Sequence, residues 1–351
     1  MKILFIILLL ILFIIIGINL VGWIFSAPVY RGPVSDHFDG KKFTNPGGVK
    51  PGGFKDLIKW MRHREKGEWK EIKDVAYGPA PAARVEGDSV VVTFINHSTF
   101  LIQTQGLNIL TDPVWSEYAS PLSFAGPKRM RPPGIRFGDL PKIDIILLTH
   151  NHYDHLDILT MKRLAELYKP AIYTALGVGL YLEKHGIENI TEMDWWDETG
   201  MATGLKLLCT PAQHFSGRGT FDRDRTLWCG FAIMTEKGSI YYSGDTGYGD
   251  FFHEIAKRIS PVQLAFLPIG AYKPAWFMSP IHTSPSDAVK IHQIIKSPQS
   301  IGMHFGTFPL ADDSMQDPVD DLKIALEKAG IPEGEFIAPK EGVARSFSSD
   351  D

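Results

Sequence analysis

Apolar and polar positions alternate along most of the chain with the periods of strands and helices, but one segment near the N-terminus departs from both. Ile3 to Val21 is apolar apart from Gly17 and Asn19. A helix of this length spans the roughly 30 Å hydrocarbon core of a bilayer. We therefore expect a transmembrane helix. A cleaved signal peptide is the alternative, but the apolar run exceeds the roughly 7–15 residues of a signal core.

The charges that flank this segment do not decide its orientation. Lys2 precedes it, and Arg31, Lys41 and Lys42 follow it among acidic residues. Basic residues favour the cytoplasmic side, so an uncleaved single-pass anchor with its N-terminus inside is the preferred interpretation. The remainder of the chain would then lie on the non-cytoplasmic face of the membrane.

The segment after the apolar run has little periodicity and then becomes amphipathic. Residues 27–53 are rich in proline and glycine, which predicts an irregular linker. Phe54, Leu57, Ile58 and Met61 recur at helical spacing between basic residues, which predicts a helix over Phe54–Arg64. Two interpretations of this helix stay open, contact with lipid headgroups or packing against its own domain. The chain thus divides into an anchor (1–26), a linker and amphipathic segment (27–87) and one large domain (88–351).

The large domain alternates short apolar or β-branched runs with helical patterns, which indicates an α/β fold. The predicted strands are Val90–Ile95, Thr99–Gln103, Asn108–Leu110, Ile143–Thr149, Ala171–Thr174, Leu205–Thr210, Leu227–Met234, Ser239–Ser243, Gln263–Ile269 and Ser300–Met303. The predicted helices are Ile158–Tyr168, Val178–Lys184, Asp250–Ile259, Pro285–Ile295 and Pro318–Ala329. Ser284 and Asp317 each precede a first-turn proline, so both are expected to cap a helix.

Composition and charge narrow the classes of partner. The 351 residues include 22% charged and 44% hydrophobic residues, as in globular proteins, and the formal charge of −4 gives no attraction for nucleic acid. We expect no nucleic-acid partner. Cys209 and Cys229 belong to no C-x-x-C pair, so they are either small buried hydrophobes or one bridge between neighbouring strands.

Candidate chemistry is concentrated in one short segment, Thr149–His155, directly after an apolar run that predicts a buried strand. His150, His152, Asp154 and His155 fall within six residues. Protonated histidines this close repel one another, and neutral ones need partners, so a bound cation accounts for the cluster. These ligand types suit zinc. Chance clustering, or a hydrogen-bonded structural group, is the alternative.

Further ligand types follow other predicted strands. His214, Asp245 and His304 each stand just after an apolar run, and glycines beside Asp245 allow close backbone approach. Each residue alone would more often be structural than a ligand. Their repetition at strand ends favours a shared metal site.

The order His-x-His-x-Asp-His, followed by single His, Asp and His, resembles the metallo-β-lactamase superfamily. The resemblance implies a four-layer αββα sandwich with two metal ions, expected to be zinc, at one edge of its sheets. It also implies how the ligands divide: His150, His152 and His214 for the first ion, Asp154, His155 and His304 for the second, and Asp245 as a bridge.

A closer resemblance covers roughly residues 90–310. Five blocks in order are similar to the branch that contains N-acylphosphatidylethanolamine-hydrolysing phospholipase D, namely Asn96–Thr99, Thr111–Val114, Gly126–Arg129, Leu267–Tyr272 and His304–Phe308. The resemblance implies a membrane phospholipid substrate, cleaved to phosphatidic acid and an N-acylethanolamine, and a homodimer. The N-terminal anchor is a departure from the well-known animal members of this branch, which do not obviously share it.

Several residues are expected to support catalysis beside Asp154. Asp112 would hold a ligand histidine, or else cap the turn at the next residue. His282 resembles a family histidine that would contact the phosphate or protonate the leaving group. His97 would support the site or be a buried structural histidine. The apolar run Trp276–Met278 would line an acyl-chain groove or pack in the core.

Three functions remain to be compared. The first is a phospholipase D-type phosphodiesterase acting through a zinc-activated water. The second is a lactonase, acylase or β-lactam hydrolase that uses the same metal chemistry on a carbonyl group. The third is a non-catalytic membrane-tethered scaffold in which metal only stabilises the fold.

Overall fold

The computed structural model describes residues 2–347, which form eight α-helices and two β-sheets. The α-helices of this part of the chain are α1 Lys2–Phe25, α2 Phe54–Arg62, α3 Ile158–Tyr168, α4 Gly179–Lys184, α5 Phe251–Ile259, α6 Ala275–Met278, α7 Pro285–Ile294 and α8 Asp317–Ala329. By length and composition, α1 is able to cross a membrane over Phe5–Phe25, a property that signal sequences share.

The strands divide between two seven-stranded sheets. In chain order they are β1 Val90–Asn96, β2 Thr99–Thr104, β3 Leu107–Thr111, β4 Ile145–Leu148, β5 Ala171–Ala175, β6 Ile190–Met193, β7 Glu198–Gly200, β8 Lys206–Pro211, β9 Cys229–Thr235, β10 Gly238–Tyr242, β11 Val262–Pro268, β12 Ser300–Met303, β13 Phe336–Ile337 and β14 Ala344–Phe347. The first sheet has the order β14-β1-β2-β3-β4-β5-β6, and the second has the order β13-β12-β11-β10-β9-β8-β7.

The two sheets are built alike and form a mixed α/β sandwich. In each, four strands pair antiparallel, and three more continue the sheet with parallel pairs. Phe100 of β2 contacts Phe94 of β1 and Phe266 of β11, with ring centroids 4.9 and 4.8 Å apart. Such aromatic contacts join the sheets through one apolar core.

Local signals account for most of these elements. All four residues of β4 are buried and apolar, as expected for a parallel strand covered on both faces. Ser284 caps α7 by accepting a hydrogen bond from Asp287 N, as predicted. The predicted cap at Asp317 is wrong, because the helix already includes Asp317, which instead bonds Ser314.

The predicted linker packs against the large domain. Ala27, Phe38 and Phe43 are buried in the main hydrophobic core. In α2, Trp60 stacks on Phe277 of α6 at 5.2 Å, which is packing against its own domain, while Phe54 stays 77% exposed. The helix ends at residue 62, two residues before the predicted end. The cysteines at positions 209 and 229 are buried free thiols.

Candidate metal centre

The side chains predicted to bind metal lie together at one edge of the sandwich. The carboxyl ends of parallel strands meet at the same edge of a sheet, and here the two sheets contribute such ends side by side. The loop after β4 carries His150, His152, Asp154 and His155, and the segments after β8, β10 and β12 carry His214, Asp245 and His304.

One group consists of three histidines, His150, His152 and His214, with a ligand nitrogen of each within 4.8 Å of the others. His152 Nδ1 lies 2.9 Å from His150 Nε2 and 3.1 Å from His214 Nε2. Burial lowers the pKa of His152 to about 4, so its imidazole is neutral at physiological pH. Three converging neutral nitrogens form a metal-binding geometry.

A second group lies beside the first and contains the carboxylates. Asp154 Oδ2 lies 3.3 Å from His304 Nε2 and 3.5 Å from His155 Nε2. Asp245 Oδ2 lies 2.9 Å from His304 Nε2, 3.2 Å from His155 Nε2 and 3.7 Å from His214 Nε2. Asp245 therefore stands between the two groups.

The charges of the second group compensate one another. Burial opposes protonation of His304, but the neighbouring carboxylates of Asp245 and Asp154 outweigh it and raise its pKa to about 9. Burial disfavours ionised Asp245, yet the adjacent His155 and His304 hold the pKa of this carboxyl well below its usual range. Buried carboxylates need such positive partners, and a divalent cation would supply the same compensation.

Unpaired atoms also favour a cation. His155 Nε2, Asp245 Oδ1, His282 Nδ1 and His304 Nδ1 are buried and have no hydrogen-bond partner within residues 2–347. Buried polar atoms are normally paired, and those of His155 and Asp245 lie in a cluster of ligand types. The cluster is thus able to hold metal ions.

Asp112 lies directly beneath the second group, in the position expected for a residue that orients a ligand. Its Oδ2 accepts hydrogen bonds from His155 Nδ1 and Tyr242 Oη, each at 2.8 Å. Its Oδ1 accepts one from Thr149 N at 2.8 Å. With Nδ1 of His155 thereby protonated, Nε2 is left free to face the cluster.

His282 and His97 flank the cluster on different sides. His282 precedes α7, and its Nδ1 lies 3.9 Å from Asp245 Oδ2, so it approaches the ligands without a hydrogen bond. His97 occupies the turn between β1 and β2, and its Nε2 lies 3.0 Å from Asp154 Oδ2. The structure therefore brings both residues to the site.

The sequence did not point to two residues that hold the ligand loops. Asn45 of the linker accepts a hydrogen bond from His214 N and donates one to its carbonyl, each at 2.8 Å. Arg218 is 7% exposed and donates to the carbonyls of Asn151 and Leu156 at 2.7 and 2.9 Å. Neither belongs to a motif or a periodic run, so only their contacts reveal the role.

Comparison with known proteins agrees with this geometry. A family model described as the beta-lactamase superfamily domain matches residues 107–305. The chain belongs to the metallo-β-lactamase superfamily.

Similar proteins of known name indicate to which branch of the superfamily this chain belongs. N-acyl-phosphatidylethanolamine-hydrolyzing phospholipase D 1 of Caenorhabditis elegans is 36% identical over 86% of this chain and 89% of its own. A metal-dependent hydrolase of Methanopyrus kandleri is 30% identical over 72% and 99%. The solved metallo hydrolase Igni18 of Ignicoccus hospitalis, 22% identical, shares the fold over 74% of this chain and 99% of its own, with a TM-score of 0.56. The resemblance to the N-acylphosphatidylethanolamine-hydrolysing branch is confirmed, and the protein is a metal-dependent hydrolase.

A cavity of about 1120 Å³ leads to the metallo-β-lactamase centre. The residues that line it include His214 and His282 of the centre and the exposed Thr220. The wall is largely apolar, with Phe54, Leu57, Trp60, Phe277, Met278, Ile281 and Leu310. Phe277 and Met278 of the predicted groove therefore line this cavity, whereas Trp276 is 49% exposed beside Lys59.

Proposed function

We propose that the protein is a dinuclear zinc hydrolase of phospholipase D type, which cleaves N-acylphosphatidylethanolamine to phosphatidic acid and an N-acylethanolamine. The observation that carries this proposal is the apolar cavity at the metal centre, whose lining residue Thr220 contacts Gly22 of α1. The Caenorhabditis elegans relative, whose name states this activity, supports the substrate. We further propose that the sandwich is the four-layer αββα arrangement, with the large domain at residues 88–351.

The position of α1 supports a lipid substrate. Gly22 packs so closely against Thr220 that a side chain would not fit between them. Just after the helix, Ala27 N donates a hydrogen bond to Asp222 Oδ2 at 2.8 Å. Because the exposed Thr220 also lines the cavity, a membrane-inserted α1 would hold this part of the cavity beside the lipid headgroups. We propose that α1 is an uncleaved anchor.

The cavity wall suits acyl chains rather than a small polar substrate. Phe277 and Met278 provide large apolar surfaces, and Trp60 covers Phe277. Each buried methylene of an acyl chain contributes about 0.8 kcal/mol to binding. Lys42, Lys50 and Arg223 line this cavity together with Asp39 and Asp224, so its charged side chains carry a net positive charge that would favour an anionic headgroup.

The geometry supports a role for each of the site residues. We propose that His150, His152 and His214 hold one zinc ion, that Asp154, His155 and His304 hold the other, and that Asp245 bridges them. Two such ions would supply Lewis acidity and lower the pKa of water toward neutrality.

The remaining site residues act through protons and hydrogen bonds. Asp112 keeps the proton of His155 on Nδ1, so Nε2 stays available as a ligand. Burial lowers the pKa of His282 to about 3. We therefore assign His282 a hydrogen bond to the substrate phosphate as a neutral imidazole, rather than the role of a protonated acid.

The proposal is tested by incubating purified, zinc-loaded protein with N-acylphosphatidylethanolamine in mixed micelles and measuring phosphatidic acid release. We expect chelator to abolish release and zinc to restore it. The variants Asp154→Asn and His304→Ala should each lose activity because each removes a ligand of the second ion. His253→Ala, which changes an exposed histidine of α5, is the control and should remain active.

Parallel substrates separate the alternatives. Turnover of a lactone or β-lactam without release of phosphatidic acid would favour a carbonyl hydrolase and overturn the lipid assignment. Metal binding without turnover of any of these substrates would favour the scaffold. The wall variant Phe277→Ala should raise KM for long acyl chains more than for short ones, which is the pattern expected if the cavity holds the chain.

A further inference from the structure

His97 is a buried histidine for which the proposed ligand set has no role. Its side chain is 1% exposed. Nε2 lies 3.0 Å from Asp154 Oδ2, and Nδ1 has no hydrogen-bond partner within the part of the chain that the structure describes. Burial of an imidazole is unfavourable unless its polar atoms are paired, so the contact with Asp154 is what offsets the burial of this ring.

The backbone of His97 holds the segment that carries another ligand. His304 N donates a hydrogen bond to His97 O at 2.8 Å, and His97 N donates one to Thr307 Oγ1 at 2.9 Å. An isolated antiparallel bridge joins His97 to Phe305. The turn of the first sheet is thereby fixed to the loop after β12 of the second sheet.

Both histidines adopt strained backbone conformations. The φ angles of His97 and His304 are +47° and +62°, in the left-handed region that favours glycine. Their imidazole centroids lie 4.1 Å apart. Strain of this kind persists where surrounding contacts hold a residue in place, and it is often found at functional sites.

We propose that His97 is a positioning residue for the second metal site, which donates an Nε2–H hydrogen bond to Asp154 Oδ2 and thereby sets the orientation of that carboxylate. A carboxylate oxygen has two lone pairs, so Oδ2 is able to face a metal ion with one and accept from His97 with the other. Such contacts orient metal ligands in many sites. This inference rests on the proposed two-metal centre.

Direct metal binding by His97 is the competing role, and the ligand count argues against it. Asp154, His155, His304 and the bridging Asp245 already supply four ligands to the second ion. Zinc is most often four-coordinate in proteins, and catalytic sites keep a position for water. With these four ligands and a water the ion would already be five-coordinate, so a fifth protein ligand would have to displace the water.

The test compares His97→Gln with His97→Leu in the full-length protein. The side-chain nitrogen of glutamine reaches approximately the place of Nε2 and retains a donor, whereas leucine has similar bulk and none. The number of bound zinc ions and their dissociation constants are measured by chelator competition, without substrate. His292→Leu is the control, since His292 is also buried and bonds Ser300 Oγ at 2.8 Å.

We expect the wild type to bind two ions and His97→Leu to bind the second about 10–100-fold more weakly, with the first unchanged. His97→Gln should restore most of that affinity. The control should lose stability but not zinc. Wild-type affinity in His97→Leu would overturn the proposal, and so would equal loss in both variants, because that pattern indicates a ligand. A wild type that binds a single ion would instead contradict the two-metal centre itself.

If His97→Leu does not fold, a measurement on the wild-type protein tests the proposal instead. Nitrogen-15 spectra of histidine-labelled, cadmium-113-loaded protein should show the His97 proton on Nε2 and no coupling to cadmium. The His97 signals are identified by their absence from the His97→Gln spectrum. A coupling to cadmium, or a proton on Nδ1 alone, would refute the positioning role.

Discussion

Replacing Asp112 by asparagine should weaken the second metal site without changing the shape of the side chain. Oδ2 of Asp112 accepts hydrogen bonds from Thr149 Oγ1, His155 Nδ1 and Tyr242 Oη, each at 2.8 Å. When the amide oxygen takes the place of Oδ1, an NH₂ group faces these three donors. The hydroxyl groups are able to rotate and accept, but His155 is able to accept only by moving its proton to Nε2.

The magnitude follows from that proton shift. With a proton on Nε2, His155 cannot bind an ion, so the second site loses one ligand. Loss of a residue that orients a metal ligand weakens binding about 10–100-fold. That loss corresponds to about 1.4–2.8 kcal/mol of binding free energy. Activity that depends on the second ion should fall at limiting zinc and recover partly as zinc is raised.

The assay is chelator competition on metal-stripped protein, with phosphatidic acid release measured in parallel. Tyr242→Phe is the matched control, because it removes a hydrogen bond from the same carboxylate oxygen but leaves the His155 proton on Nδ1. It should cost about 1 kcal/mol of unfolding free energy with little loss of zinc. If Asp112→Asn binds two ions with wild-type affinity, the argument from the His155 proton is refuted.

Three further outcomes are expected. Arg218→Met should lower both the melting temperature and the zinc affinity. It removes hydrogen bonds to the carbonyls of Asn151 and Leu156 that are worth about 1.5–3 kcal/mol each. An unchanged melting temperature and zinc affinity would contradict this role of Arg218. Removal of metal by chelator should lower the unfolding free energy by about 4 kcal/mol if free metal had been 1,000-fold above Kd, measurable as a melting shift that zinc reverses. Burial lowers the pKa of His37, but its hydrogen bond to Asp194 helps raise this pKa above 6.5 overall. The linker segment around His37 should therefore dock most strongly on the large domain below pH 6.5, and this docking should weaken as the pH rises through the raised pKa. Hydrogen exchange at several pH values tests this, and His37→Gln should remove the dependence.

Much of the fold was predictable because its strongest signals are local. The strand Ser300–Met303 and the helix Ile158–Tyr168 have the predicted bounds, and other predicted elements differ from the observed ones by a few residues. Apolar periodicity marks these segments, since each buries one or both of its faces. The strands β6, β7, β13 and β14 were missed. Strand β13 has only two residues, the other three are short and include polar or exposed residues, and β14 pairs with β1 about 250 residues earlier in the chain.

The side chains of the candidate metal centre were also visible in the sequence. The loop after β4 places His150, His152 and Asp154 within a few residues of one another, and such a cluster of ligand types suggests a metal wherever it folds. That His214 and His304 join it was an inference from their positions after apolar runs. The order of strands in the two sheets brings these ends to one edge.

The sequence by itself determined the types of ligand, the order of the main strands and helices, and the apolar N-terminal helix, because these depend on neighbouring residues. Only the tertiary structure decided which groups hold the ligands and where the cavity opens. Asn45 meets His214 across 169 positions, and His97 meets Asp154 across 57. Contacts between residues so distant in sequence arise when the whole sandwich packs, so no local pattern records them.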